Sequence, residues 1–555
     1  MRERIDEACR MLALGTPDTY LRSLYTGISL CWLPLIPLLM DKFIRIPALQ
    51  RMFALFPLLR VALGLTLALI PLQLILKGLR PVLRYREHLA ALEHETPFAV
   101  LAISMLVAAG IPPLIAFEAL ASLEDALPHT AQEVLRIKRD AMLALRHLSE
   151  QLAIEAARAK GKWARLLDAL VAIERSGWEP RIYMRDLVNL VINDLRVDYM
   201  RLSEHFRTLV SSASVLFGAF PMMITVLFTI LASTMVIPMV VAFSILAILL
   251  ASMYIFFVDV QVPRTISYWP VYRRILMRWL PMGVAVALLV YLGVIQLPVS
   301  LVIPHSLAIG LGLVAFSVPG FLEFRLHAQI IDEIIDKLPS LLRDLASEIH
   351  RGAPPHIGLE RVSETHTYGP WMDRLVSLIV RRLRITGSLK EAIAGIERLL
   401  PEPVKVSFSL IVLSEEYGAG AESYHILADI MSEYMLMIRE FKRGNTGYRW
   451  LSIGMALLTF GMVLLLFNTV VGKIAMAGEL MKQAPVPLPV MLVTPEQLPM
   501  LKDWICTMVI VNGAVLGMVT GKTLDWRIGG GLRDVAIISG SFVTLLVLST
   551  IFGLL

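Results

Sequence analysis

Cysteine is almost missing from this sequence. Three residues, Cys9, Cys31 and Cys506, are scattered between a terminus and two apolar segments. Neither a disulfide framework nor a Cys-based zinc site can be built from that spacing. Charge is sparse at 18%, and the alternating pattern of half-buried strands is absent. The charged start (Arg2, Glu3, Arg4, Asp6, Glu7, Arg10) has no apolar core before Leu21, so a cleavable signal peptide is not expected. Long apolar runs, by contrast, are abundant. A composition 56% hydrophobic with mean hydropathy +0.68 lies beyond an ordinary globular chain and reads as an integral membrane protein.

The formal charge of +6 does not mark a nucleic-acid binder, because of where it sits. From Arg80 to Arg207 there are about 17 basic and 17 acidic side chains, and from Glu323 to Arg449 about 16 and 18. The excess lies at membrane edges, in Arg264, Arg273, Arg274 and Arg278 and around the first spans. That distribution is topological.

Judged against the roughly 20 residues that cross a hydrocarbon core, the apolar runs predict about nine spans. They lie near Leu24–Met40, Val61–Leu79, Val210–Ser233, Val236–Val258, Leu280–Leu297, Ser300–Leu322, Leu451–Val471, Trp504–Gly521 and Val535–Leu555. The expected domains are an N-terminal segment with two spans (1–79), a helical module (80–209), a four-span block (210–322), a second helical module (323–449) and a C-terminal block of three spans (450–555). The fold class is all-α. Retention of Lys and Arg in the loops Asp259–Arg278 and Lys522–Arg533 predicts a multi-pass protein of the cell membrane. The amino terminus and both modules are expected in the cytoplasm and the carboxyl terminus outside. The basic stretch Asp41–Arg60 conflicts with that scheme, and an interfacial or re-entrant Leu24–Met40 resolves the conflict.

The two modules open with one phrase. Pro97 is followed by Gly110, Pro112, Pro113, Ile115 and Glu118, and Pro339 at the same spacing by Gly352, Pro354, Pro355, Ile357 and Glu360. The coincidence of six positions predicts a duplicated module. Gly110 and Gly352 fit helix C-caps, and each Pro-Pro pair stops one helix and presets the next. The modules also close alike: Asp198, Tyr199, Met200, Phe206 and Arg207 match Glu433, Tyr434, Met435, Phe441 and Lys442. Each closing phrase runs toward a span, either as a helix continuing into the bilayer or as an amphipathic helix on the headgroups.

Catalytic and cofactor motifs are not found. Gly521-Lys522-Thr523 resembles the end of a phosphate loop, but the glycine needed five residues earlier is Leu516. His94 lies between Glu93 and Glu95 without a second His at metalloprotease spacing, and His350, His356 and His366 lack a tight carboxylate pattern. Within the spans His305, Asn468 and Asn512 are the main polar groups, which disfavours ion-coupled transport. Gly513, Gly517 and Gly521 share a helical face and predict close packing of another span, within the subunit or between subunits.

The phrases Leu-Pro-Ser-Leu-Leu-Arg-Asp-Leu-Ala from Leu338 to Ala346, Arg-Gly-Ala-Pro-Pro from Arg351 to Pro355 and Gly-Leu-Glu-Arg from Gly358 to Arg361 resemble the opening of the type II secretion system F domain. The stretch from Gly387 to Ala392 and the Glu-Tyr-Met helix before a span are similar too. Two such domains around a four-span spacer, with a terminal pair of spans carrying Asn512-Gly513 through Gly521-Lys522, resemble the archaeal platform proteins of archaella and type IV pili. The likeness covers the chain from about Glu93 onward. The first module departs from it, with Ala102-Ile103-Ser104 where the second has Asp344-Leu345-Ala346. The resemblance implies a non-enzymatic platform without cofactor or metal, a homodimer in membrane lipid that binds no nucleic acid. It also implies a cytoplasmic hexameric secretion ATPase as partner and pilin-like subunits as cargo. Arg343, Asp344, Arg351, Glu360, Arg361, Arg381, Arg382 and Arg384 are the charges expected to meet the ATPase. A channel or carrier gated by the repeats is the alternative.

Overall fold

A computed structural model describes residues 17–30, 57–176, 179–231, 236–261, 268–293, 304–466 and 498–551, and every regular element among them is helical. In chain order these are α1 (Pro17–Ser29), α2 (Pro57–Ala108), α3 (Pro113–Ala119), α4 (Pro128–Leu143), α5 (Leu148–Arg158), α6 (Gly161–Ser176), α7 (Pro180–Ala213), α8 (Phe220–Leu231), α9 (Val236–Gln261), α10 (Trp269–Tyr291), α11 (Pro304–His350), α12 (Pro355–Thr365), α13 (Pro370–Thr386), α14 (Leu389–Ile393), α15 (Glu402–Glu416), α16 (Ala421–Leu466), α17 (Leu498–Asp525) and α18 (Ile528–Ile551). Most of the Leu24–Met40 run, the stretch 41–56, Arg264 and Asn468 lie outside the described residues.

Among the described residues eight helices are long and apolar enough to cross a membrane, as a multi-pass protein requires. Several are longer than a span. The 47 residues of α11 and the 46 of α16 extend about 70 Å at 1.5 Å per residue, more than twice a hydrocarbon core. The closing phrases therefore sit on helices that run unbroken from a charged module into an apolar span. In the first, α7 passes through a π-helical turn at Ser214–Ala219 into α8. One of the eight candidates, Lys77–Ala108, has a different character. Its apolar window is 72% buried by protein and is preceded by Arg80, Arg84 and Arg86, so here apolarity serves a protein core.

The chain divides into two compact units, Met1–Ala99 with Phe117–Gly177, and Val100–Ala116 with Trp178–Leu555. In the first, Leu92, Phe117, Leu120, Leu127, Val134, Ile137, Leu166 and Leu170 are buried with almost no exposure. Two carboxylates of α2 fix the helices packed on it. Glu95 accepts from the first backbone N–H groups of α4, at His129 (3.3 Å) and Thr130 (2.7 Å). Glu93 accepts from Lys162 (2.9 Å) and Trp163 (3.4 Å) at the start of α6. Each satisfies orphan donors and complements the positive helix end. The Glu93-His94-Glu95 string is thus a pair of helix caps.

An ion cluster closes the same unit. Arg136 bridges Glu133 (2.7 Å), Glu155 (2.7 Å) and Asp140 (3.1 Å), while His88 lies 3.6 Å from Glu133. Burial alone would raise the Glu133 pKa, but hydrogen bonds from His88 and Arg136 and their charges outweigh it and bring it down to about 2. A depressed carboxylate stabilises the fold above its unfolded pKa and loses that contribution as pH falls through the folded value. We expect Glu133→Gln to cost on the order of 3 kcal/mol near neutral pH. The gap from the native protein, followed by thermal unfolding, should close between about pH 5 and about pH 2.

The second unit contains both duplicated corners. Gly110 and Gly352 are left-handed, with φ of +91° and +93°. Their N–H groups bond to Val107 and Ile349 (both 2.9 Å), and the following N–H groups reach back to Leu106 (3.1 Å) and Glu348 (3.2 Å). The two helix ends are capped by one hydrogen-bond pattern, and α3 and α12 then start on the second proline of each pair. Membrane-type helices of this unit pack on a large apolar core that includes Phe217, Phe460, Ile505, Leu516, Ile538 and Phe542.

Candidate coupling site

Tyr199 and Phe206 are seven residues apart on α7, and Tyr434 and Phe441 are seven apart on α16, so each pair points from one side of its helix. The structure brings the two sides together. The hydroxyls of Tyr199 and Tyr434 lie 3.2 Å apart with rings edge to face, and Phe206 meets Phe441 edge to face at 5.9 Å. Like meets like because the helices lie side by side in register. Contact between equivalent residues is the mark of a local two-fold axis, here within one chain. Polar bonds flank the rings. Arg196 donates to Glu433 (2.8 Å), and Ser203 (3.1 Å) and Arg207 (3.2 Å) both donate to the buried Asn445 carboxamide oxygen.

A two-residue turn between α17 and α18 seats itself on this pair. Trp526 stacks on Tyr199 at 6.0 Å and lies 4.7 Å from the Phe441 ring. Its φ of +61° is costly for a bulky residue, so the surrounding contacts hold it there. On one side of the turn Asp525 accepts from Arg449 Nη2 (2.5 Å), and Arg449 Nε donates to the fully buried Asp534 (3.1 Å). On the other side Arg527 grips Asp332 of α11 with two nitrogens (3.2 and 2.9 Å) and lies 5.1 Å over the Tyr268 ring. Lys522 reaches Asp259 of α9 (2.6 Å) and the Trp526 carbonyl (3.3 Å). The turn thereby holds α7, α9, α11 and α16 at once. The Trp526 indole N–H and the Asn445 amide nitrogen are buried without a protein partner among the described residues.

The glycine stripe lies against α18, within the subunit. A Cβ on Gly513 would meet Phe542 at 2.7 Å, on Gly517 the Val535 backbone at 2.8 Å, and on Gly521 the Gly531 backbone at 2.2 Å. Backbone cannot give way as a side-chain tip can. Gly521→Ala is expected to cost about 3 kcal/mol by prising α17 from α18, measured as a lowered unfolding midpoint in detergent.

The charges expected to meet an ATPase are mostly occupied by neighbours. Arg343 donates to Ser432 (3.3 Å), Arg351 and Arg361 pair with Glu348 (2.5 and 3.7 Å), and Arg384 pairs with Glu360 (2.6 Å) and Glu364 (2.9 Å). Arg382 caps the Ala394 carbonyl (2.9 Å), and Asp344 accepts from Tyr368 (2.5 Å). Burial first and then the Asp344 bond and charge push the Tyr368 hydroxyl far above its ordinary pKa, so it stays a donor. Arg381 alone of the eight has no ion pair or hydrogen bond to the described residues, and it is exposed.

The turn Asp525–Arg527 and its acceptors Asp332 and Asp534 escaped the sequence reading. One signal was present, the string Asp-Trp-Arg-Ile-Gly-Gly-Gly from Asp525 to Gly531, where glycines leave room for close neighbours. A Cβ on Gly529 would strike the Phe324 ring at 2.2 Å. No nucleophile and base are brought together at the junction, and no metal-type group of three His, Cys, Asp or Glu occurs among the described residues. The contacts described there are aromatic packing, hydrogen bonds and charge pairing. Comparison with protein-family models, curated proteins and solved structures finds no match for this chain.

Proposed function

We propose that this chain is a membrane platform for assembling a filament of the type IV class, with two duplicated cytoplasmic modules that accept motion from a hexameric secretion ATPase. The observation that carries the reading is the junction of the exit helices. Each module ends in a helix that continues into the membrane block, and the two helices meet through equivalent residues. A displacement imposed on either module would reach the Tyr199–Tyr434 and Phe206–Phe441 contacts and pass through Trp526 to α17 and α18. Packed cores respond to such a push by shifting between arrangements rather than deforming smoothly. The unpartnered Trp526 and Asn445 donors favour this, since a junction with unspent hydrogen-bonding groups has another arrangement available to it. Pilin-like subunits would be the cargo raised from the bilayer beside the moving helices.

The test is capture. Full-length protein extracted in mild detergent should retain a soluble secretion ATPase from its own cells, with retention falling as salt rises. Arg381→Glu should weaken capture without lowering thermal stability. Failure to retain any such ATPase, together with ion flux through protein reconstituted in liposomes, would instead favour the gated channel.

A further inference from the structure

Three arginines of α10 are left unpaired by the protein. Arg273, Arg274 and Arg278 are exposed and make no ion pair or hydrogen bond with the described residues. No Asp or Glu lies between Asp259 and Glu323 in the sequence, and those two are engaged by Lys522 (2.6 Å) and by the Trp279 indole N–H (2.6 Å). Arg274 and Arg278 are one helical turn apart, a spacing at which like charges repel. An anion from outside the chain would offset that cost.

Contacts fix the level at which the three sit. Helix α10 packs on α11 through Tyr272, Ile275, Trp279 and Gly283. Tyr272 stacks on Phe324 (5.9 Å), a Cβ on Gly320 would meet Ile275 at 3.2 Å, and one on Gly283 would meet the Gly312 carbonyl at 2.7 Å. The arginines therefore lie beside the stretch of α11 where the apolar run ends at Leu322 and its first carboxylate, Glu323, appears. Asp259 at the end of α9 and the turn after α17 belong to the same level, because Lys522 reaches Asp259 and Arg527 lies over the Tyr268 ring. Helices α9, α10, α11 and α17 all pass from apolar to charged residues there, the mark of the headgroup edge of a bilayer.

The side of α10 turned away from α11 continues from the arginines into an apolar stripe. Arg274, Met277, Pro281, Val284 and Leu288 recur at steps of three and four, and Met277, Val284 and Leu288 are 64%, 51% and 52% exposed. The helix is long and apolar enough to span, and its apolar window is only 11% buried by protein, so acyl chains cover this side. From Arg274 to Leu288 it rises about 21 Å, the depth of one leaflet with its headgroups. A cationic end on an apolar stripe of that length matches one phospholipid molecule better than a soluble anion. Guanidinium forks also suit phosphate, whose oxygens they bind two at a time.

We propose that Arg273, Arg274 and Arg278 bind the phosphate of an anionic phospholipid whose acyl chain lies along Met277, Val284 and Leu288. The test uses full-length protein in phosphatidylcholine nanodiscs that contain a trace of phosphatidylglycerol with a diazirine in its acyl chain, or the same diazirine on phosphatidylcholine. After irradiation, labelled peptides are mapped by mass spectrometry. Labelling between Met277 and Leu288 should be several-fold heavier from the phosphatidylglycerol probe, whereas the exposed residues Leu249, Met253 and Phe256 of α9 should take both probes alike. Arg273→Gln with Arg274→Gln and Arg278→Gln should bring the two probes level on α10 and leave the α9 pattern unchanged, which reports an intact fold. Lysine at the same three positions keeps the charge but loses the fork, and should retain a reduced preference. Raising salt should lower the preference in the native protein with no substitution at all. Equal labelling of α10 by the two probes in the native protein would overturn the proposal, as would a preference that persists in the glutamine variant. A preference abolished by excess inorganic phosphate at constant ionic strength would overturn it too, assigning the arginines to a soluble anion.

Discussion

Replacing Arg449 by methionine is expected to cost about 3–5 kcal/mol, the loss that follows when one partner of a buried ion pair is removed. Arg449 is 7% exposed and Asp534 not at all, so the substitution leaves a carboxylate in a dry site. The sharper prediction concerns the double change. Arg449→Met with Asp534→Leu removes both charges and fills similar space, and such replacements are often neutral or stabilising. Chemical unfolding in micelles should show a large loss for the single variant and recovery for the double. A single variant within about 1 kcal/mol of the native protein would instead match a solvent-screened pair. Filament output should separate from stability here, because the double variant keeps the bundle but frees the Asp525 end of the turn. Under the proposed coupling role, that variant folds and fails to assemble filaments.

Phe206→Ala is the second large effect. The ring is fully buried against Phe441, Val258 and Trp526, and truncating such a side chain costs about 3–5 kcal/mol through lost transfer energy and the cavity left behind. Phe441→Ala should cost a similar amount. The double-mutant cycle is more informative than either change. An edge-to-face aromatic pair contributes about 0.5–1.5 kcal/mol beyond its burial, so the two losses should fall short of additive by about that margin. Strict additivity would mean that the exit helices do not rest on each other through these rings.

Helical content and the corner glycines were legible in the sequence because each is local, whereas a closing helix that continues into a span and one that lies on the headgroups read alike. A stripe such as Ile331, Ile334, Ile335, Leu338 and Leu342 specifies a buried face within a few turns of its own helix. The closing phrases were legible as a repeat, but not as partners of one another. Similarity between Tyr199 and Tyr434 says that two helices end alike, and contact across 235 residues is a property of the assembled bundle. The charges show the limit most clearly. Arg384 and Arg381 read alike in sequence and lie three residues apart on neighbouring positions of one helix, yet one is gripped by Glu360 and Glu364 and the other is not, because the packing of α12 against α13 decides which of them meets a carboxylate. Trp526 was hidden for a related reason. A large aromatic in a short turn between spans reads as an interfacial anchor, and only the fold shows it stacked on two other helices.

The length of α16 has a mechanical meaning of its own. The helix extends 13 residues before Tyr434 and 17 beyond Arg449, arms of about 20 and 26 Å on either side of the junction. Rotation by a few degrees about that point would swing both ends by an ångström or two in opposite senses, the scale at which helices shift in allosteric proteins. The pivot itself is compliant. Gly444, Asn445, Thr446 and Gly447 are weak helix formers placed between the arms, and a Cβ on Gly447 would touch nothing within 4 Å. Bending at that segment absorbs rotation instead of passing it on, so the two glycines set how far the arms of α16 move as one lever.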